Sequence, residues 1–229
     1  MNPGPSPTAL YRLLAWTSPS YPTGAFSYSH GLEWAVEEGS VRNVGQLIDY
    51  VGTVIEHGGG WIDAVLLARI HEAADQSDLQ DQLIELAGAF RGSAETALEA
   101  RQQGDAFLRA TRAAWPNPAL DSLVERFQGR PLAHCAVMAV ACVAHGIALR
   151  PALEAFVHGA AANLVSAGVR LVPLGQTDGQ IAIARLEPRV EAVVVRALAT
   201  PVDELGSCAP ALELCSLRHE TQYTRLFRS

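Results

Sequence analysis

A run of apolar residues near the middle of the chain constrains the fold most strongly. Residues 131–149 are apolar on nearly every helical face, with alanines and valines recurring between His134 and Ile147. This segment is short for a membrane span, and a helix that is apolar all round has to be buried on every side. Residues 131–149 are therefore predicted to form a central helix that other helices surround.

The sequence on both sides of this segment has helical periodicity almost throughout. Ser27 is predicted to cap a short helix that stops near Gly39, and Asn43 with Gln46 resembles a capping box. Further helices are predicted over residues 61–73, 77–94, 117–129, 151–167, 177–187 and 188–198, with Pro188 in the first turn of the last one. No turn typical of a β-hairpin separates alternating strands. The fold is predicted to be all-α.

The composition indicates one compact helical bundle over residues 1–229. Hydrophobic residues make up 49% of the chain and charged residues 18%, which excludes a disordered protein. Neither a Gly/Ser-rich linker nor a block of charge divides it. A single all-α domain is therefore expected.

The charged residues exclude several classes of function. The formal net charge is −7, which disfavours nucleic acid and anionic membranes as partners. All 17 basic residues are arginine, so neither a phosphate-binding P-loop lysine nor a Schiff-base lysine is available. Residues 1–10 carry no signal-peptide pattern, and no apolar run approaches the ~20 residues of a membrane span. The protein is expected to be cytoplasmic.

Four potential ligands or nucleophiles lie on the predicted central helix: His134, Cys135, Cys142 and His145. They leave open a thiol-dependent or metal-dependent enzyme, for example a metal-assisted hydrolase. Against this, apolar burial opposes thiolate formation, and the chain has no C-x-x-C motif. Core packing is the preferred interpretation.

A second group is formed by Cys208, Cys215 and His219. Two thiols and an imidazole could share a soft metal ion. In a cytoplasmic protein, however, free thiols are the preferred interpretation of a pair without C-x-x-C spacing. Metal binding by this group remains an alternative.

The C-terminal tail, residues 208–229, ends in an unusual composition for a segment that is frayed in most proteins. Aromatic and aliphatic groups that can fill pockets alternate there with arginines that can pair with carboxylates, and these types dominate interface energies. The candidate partner-binding residues are His219, Glu220, Gln222, Tyr223, Arg225, Leu226, Phe227 and Arg228. Partner docking is the preferred interpretation, and a tail folded onto its own core is the alternative.

The N-terminal segment, residues 1–26, is the second extension predicted to bind partners. Residues 22–33, which overlap its end, are predicted to form a shaped turn and helix start at an interface, with Phe26 and Tyr28 as candidate anchors and Gly24 and Gly31 permitting close backbone approach. A segment that merely covers the helical core is the alternative. Arg170, flanked by apolar residues, is suited to an ion pair at an interface. It is a candidate for a homodimer contact or for the face that meets a further partner.

Four blocks in order carry a family resemblance: Ser18–Glu33, Arg101–Gly104, Val169–Gln180 and His219–Ser229. The first resembles the S-P-x-L-P-x-G-x-F-x-Y-S-x-G-L-E pattern of the urease accessory protein F family (UreF). It departs from that pattern at Tyr21, where leucine is usual, and at His30, where glutamine is usual. In the second block, Gln103 stands where methionine is common.

The resemblance implies an all-α homodimer that binds the urease accessory protein D (also called H) and recruits the GTPase accessory protein G. Together these proteins would deliver nickel to apo-urease, so the chain would be a non-enzymatic scaffold with no tightly bound cofactor. A direct nickel carrier using Cys208, Cys215 and His219 is the alternative under the same resemblance. An enzyme using the thiols and imidazoles of the central helix is the third hypothesis.

Overall fold

The computed structural model describes residues 4–229, and within that range the chain is all-α, as predicted, without a strand. In chain order the helices are α1 (Pro7–Trp16), α2 (Leu32–Glu37), α3 (Val44–His57), α4 (Gly59–Glu72), α5 (Ser77–Ala89), α6 (Ala94–Ala114), α7 (Pro118–Arg126), α8 (His134–Ala144), α9 (Leu149–Leu171), α10 (Gln176–Ala199) and α11 (Pro210–His219). Residues 1–3 of the predicted N-terminal extension lie outside the described range.

The predicted central helix is α8, which is buried at every position from Cys135 to Cys142. It is shorter than the predicted 131–149 because Gly146 adopts a φ of 66°, a left-handed conformation that ends helices. Helix α4 is equally central, with eight buried residues, and packs against α8. Two adjacent helices therefore form the centre of the bundle.

Helix α1 was not predicted from the Pro-rich start of the chain. The Ser6 hydroxyl caps it by accepting a hydrogen bond from the amide of Ala9 at 3.2 Å, and Pro7 stands in the first turn, where a missing N–H costs nothing. Ala9, Leu13 and Trp16 then face the core. The spacing of these three residues was the signal that could have revealed the helix.

One predicted helix start and one predicted helix end were wrong. Ser27 does not cap α2, because Ala25–Ser27 is a separate 3₁₀ turn and α2 begins after His30 and Gly31, which have φ values of 54° and 74°. The predicted helix over 77–94 is interrupted after Ala89. There Arg91 donates to the carbonyl of Ala87, and Ser93 caps α6.

The predicted boundary at Pro188 was also wrong, because α10 runs unbroken from Gln176 to Ala199. Proline removes only one hydrogen bond from a helix interior, and tertiary contacts can offset that loss. The adjacent Arg189 supplies one such contact, since its guanidinium donates to both carboxylate oxygens of Glu56 on α3. Helix α9 is apolar and long enough to cross a membrane by composition alone, yet half of its most apolar window is buried inside the protein.

Candidate partner-binding surface

The last ten residues of the tail fold back onto the bundle after α11. The amide of Arg228 donates to the carbonyl of Ser27 at 2.8 Å, and the amide of Ser29 donates to the carbonyl of Ser229 at 2.7 Å. These two bonds pair the end of the tail with the backbone that precedes α2. The structure thus shows the tail in the conformation that sequence analysis left as the alternative, docked on its own body.

Glu33, in the first turn of α2, fixes the tail backbone. Its Oε1 accepts from the amide of Leu226 at 2.7 Å and its Oε2 from the amide of Phe227 at 2.9 Å. The residue is only 8% exposed. Hydrogen bonds from amides to a buried carboxylate are strong, so this contact holds the tail in one register.

His219, at the end of α11, lies between two buried carboxylates. Its Nδ1 is 2.7 Å from Glu95 Oε2 and its Nε2 is 3.2 Å from Glu33 Oε2. Arg225 Nη1 also contacts Glu95, at 3.0 Å from Oε1. Because both ring nitrogens have polar partners, neither is directed toward Cys215 or Cys208 as a metal ligand would be.

Glu99 forms the third buried carboxylate, one turn after Glu95 on α6. It accepts from the hydroxyl of Ser229 at 2.9 Å and from the side-chain amide of Gln103 at 2.8 Å, and it lies 2.9 Å from Nδ1 of His30. Burial by itself lowers the pKa of His30, but the Glu99 carboxylate outweighs this effect, so the pKa is raised. The Glu99 carboxylate therefore favours the protonated form of His30.

Glu33, Glu95 and Glu99 hold the tail, yet none of them is among the site residues predicted from the sequence. The signal lies in α6, where two glutamates spaced i, i+4 occupy the same face as the buried Phe107. A carboxylate on the buried face of a helix needs a partner. That partner is the tail, distant in sequence.

The docked tail divides the predicted anchor residues into three sets. His219, Gln222 and Phe227 are buried against the body. Tyr223 is fully exposed and Leu226 is 68% exposed. Glu220, Arg225 and Arg228 lie at the edges, and the first two pair with the amide of Ala94 and with Glu95.

Arg170 joins the tail to the N-terminal segment. Its guanidinium lies over the ring of Phe26 at 5.0 Å and over the ring of Phe227 at 4.5 Å, and it donates to the carbonyl of Phe26 at 2.8 Å. Phe26 itself is 66% exposed. Tyr28 is buried, and its hydroxyl donates to Gln102. Of the two candidate anchors in this segment, Phe26 reaches the surface and Tyr28 packs inside.

The two thiols of α8 are buried in the core, whereas His134, its first residue, and His145, which follows it, are half-buried. Burial raises the pKa of both Cys135 and Cys142, which keeps the thiols protonated. Burial lowers the pKa of His134 to about 4. No group of three or more His, Cys, Asp or Glu side chains suited to a metal ion occurs within residues 4–229.

Comparison with known proteins identifies the family of this chain. A family model described as UreF matches residues 41–187. The chain belongs to the UreF family. A relative from Bradyrhizobium diazoefficiens, named urease accessory protein UreF, is 46% identical over 224 residues, which cover 96% of this chain and 92% of the relative.

Two further UreF relatives carry the same name. The protein from Granulibacter bethesdensis is 50% identical, with 96% of this chain and 94% of the relative covered. The protein from Rhodopseudomonas palustris strain TIE-1 is 45% identical over 99% of this chain and 95% of its own length. That alignment extends beyond the UreF family model and takes in nearly all of the docked tail.

Proposed function

We propose that this UreF-family protein is a non-enzymatic scaffold in the assembly of the urease nickel centre. This chain would act as a homodimer in the cytoplasm. It would bind the urease accessory protein D/H, recruit the GTPase accessory protein G, and present the complex to apo-urease. The support is family membership and relatives named urease accessory proteins. A scaffold of this kind needs surface complementarity and no catalytic group of its own.

The observation that carries the proposal is the division of the tail into buried and exposed anchors. Glu33 holds the amides of Leu226 and Phe227, so the side chain of Leu226 is presented to solvent on an ordered backbone. An anchor that is ordered before binding loses less conformational entropy when the complex forms. Tyr223, Leu226 and Phe26 are therefore the proposed contacts with the D/H protein.

Arg170 is proposed to act mainly through other residues. Its guanidinium already stacks on Phe26 and Phe227 and donates to two backbone carbonyls, those of Phe26 and Ser166. These contacts use much of its binding capacity within the chain. Arg170 would hold the exposed ring of Phe26 beside the tail, so that both reach the same partner.

The test is co-purification of the D/H protein with the double variant Tyr223→Ala/Leu226→Ala. Because both side chains point to solvent, the variant should melt within about 1 °C of the wild type and bind the D/H protein at least about tenfold more weakly. The matched control is Leu79→Ala/Val195→Ala, which removes two exposed aliphatic side chains from α5 and α10, outside both predicted partner-binding extensions. Unchanged binding by the tail variant would contradict the proposal, as would equal loss in the control.

Nickel is proposed to be handled by the complex and not held tightly by this chain alone. Cys208 is exposed in the connection before α11, whereas Cys215 is buried and His219 is engaged by two glutamates. Calorimetry with nickel chloride should show only weak binding that Cys208→Ser leaves unchanged. Tight binding that this substitution abolishes would favour the direct nickel carrier.

A further inference from the structure

A cavity of about 420 Å³ lies beneath α11, and the scaffold function does not use it. The turn between α3 and α4 and the connection between α5 and α6 form its other walls. Its volume falls within the range of sites for small organic molecules. One side of the cavity is apolar and the other carries basic side chains, and this difference indicates the kind of molecule that fits.

One side of the cavity is apolar. Val54, Ile62 and Leu212 contribute aliphatic side chains, and Phe90, which is 39% exposed, stands near the entrance. Such a surface favours an aliphatic or aromatic group that is removed from water on binding.

The other side of the cavity carries two basic side chains, His30 and Arg91. The guanidinium of Arg91 is 8% exposed and is paired with Asp63 at 2.8 Å. The ring of His30 is 25% exposed; its Nδ1 lies 2.9 Å from Glu99 Oε2 without hydrogen-bond geometry, and its Nε2 is directed at Gly59, where an added Cβ would lie 3.3 Å away. Within residues 4–229, Nε2 has no hydrogen-bond partner.

Protonation of His30 makes Nε2 a donor. The Glu99 carboxylate outweighs burial and raises the pKa of His30, which favours the imidazolium with a proton on each nitrogen. A charged donor facing an apolar cavity is best satisfied by an anionic oxygen. The carboxylate of Glu213 also lines the cavity, but its residue is exposed and its side chain lies toward Gly92.

We propose that this cavity binds a small carboxylate with an apolar body, its carboxylate accepting from Nε2 of His30 and its body lying against Val54, Ile62 and Leu212. None of the proposed partner contacts Phe26, Tyr223 and Leu226 lines this cavity. It would be a ligand site on a protein whose other interactions are with macromolecules.

The test uses 3-phenylpropionate and its uncharged isostere 3-phenylpropanamide as probes of the full-length protein. Binding is measured by ligand-observed NMR and by calorimetry. The carboxylate should bind at one site and at least tenfold more tightly than the amide. Failure of 3-phenylpropionate to bind, or equal affinity of the two probes, would overturn the proposal.

Three variants locate the site. Leu212→Trp fills the cavity and should abolish binding, whereas Leu214→Trp, on the exposed face of the same helix, should retain it. His30→Gln removes the charged donor and should weaken 3-phenylpropionate at least tenfold while leaving the amide unchanged. Melting curves confirm that each variant is folded. Binding that survives Leu212→Trp in folded protein, or that is indifferent to His30→Gln, would place the site elsewhere and refute the assignment.

Discussion

Acidification should destabilise the fold through His134. The ring lies between Phe107 and Phe156, with centroid distances of 5.1 and 5.5 Å, and its buried Nε2 has no hydrogen-bond partner within residues 4–229. Burial lowers the pKa of His134 from 6.5 to about 4. The folded protein therefore keeps this ring neutral at a pH where the unfolded chain binds a proton.

The sign and size of the effect follow from this difference in pKa. Above pH 6.5 both states are neutral at this ring, and the full stability is present. As the pH falls from 6.5 toward 4, the unfolded state gains a proton that the folded state does not, and folding weakens by about 3 kcal/mol in total. By pH 4.5 most of that loss, roughly 2 to 3 kcal/mol, should have occurred.

The measurement compares urea unfolding of the wild type and of His134→Leu at pH 7.5 and pH 4.5. Leucine packs against the two phenylalanines without a titrating group, so the variant should lose about 2 to 3 kcal/mol less than the wild type between these two pH values. Carboxylates that titrate in the same range affect both proteins alike and cancel. Equal losses would mean that the imidazole is solvated or hydrogen-bonded, and the argument from burial would be wrong.

Two further predictions concern helix packing and the opposite pH range. Gly104→Ala should destabilise the protein by about 3 kcal/mol or more, because an added Cβ would lie 2.0 Å from the carbonyl oxygen of Leu132. Chemical unfolding measures this loss in the free energy of unfolding. The control is Gly206→Ala, since no atom lies within 4 Å of a Cβ there. Similar losses for the two variants would show that α6 and α8 can separate at low cost. His30 should act in the reverse sense to His134, because its raised pKa gives stability that is complete below about pH 6.5 and is lost as the pH rises through the folded pKa. The free energy of unfolding should therefore fall more for the wild type than for His30→Gln between pH 6 and pH 8.5, and parallel curves would exclude an effective ion pair with Glu99.

The helices could be predicted where the information is local. The Asn43 cap of α3 and the apolar face that follows it are adjacent in sequence, and the structure shows both. Pro188 could not be interpreted correctly in the same way. Whether a helix continues through a proline depends on tertiary contacts, and here Arg189 reaches Glu56 on a helix far away in sequence.

The candidate site also depends on contacts between residues that are distant in sequence, which local sequence patterns do not show. The composition of residues 219–229 identified an interaction segment, because phenylalanine, tyrosine and arginine contribute strongly to any interface, internal or external. It could not decide which side chains face inward, since Glu33 and Glu95, which hold the tail, precede it by more than 120 residues. Glu33 accepts from the amides of both Leu226 and Phe227 and so fixes the bend at these two residues. In that conformation Phe227 packs inside while Leu226 is exposed, so one segment can both complete the core and offer an anchor to a partner.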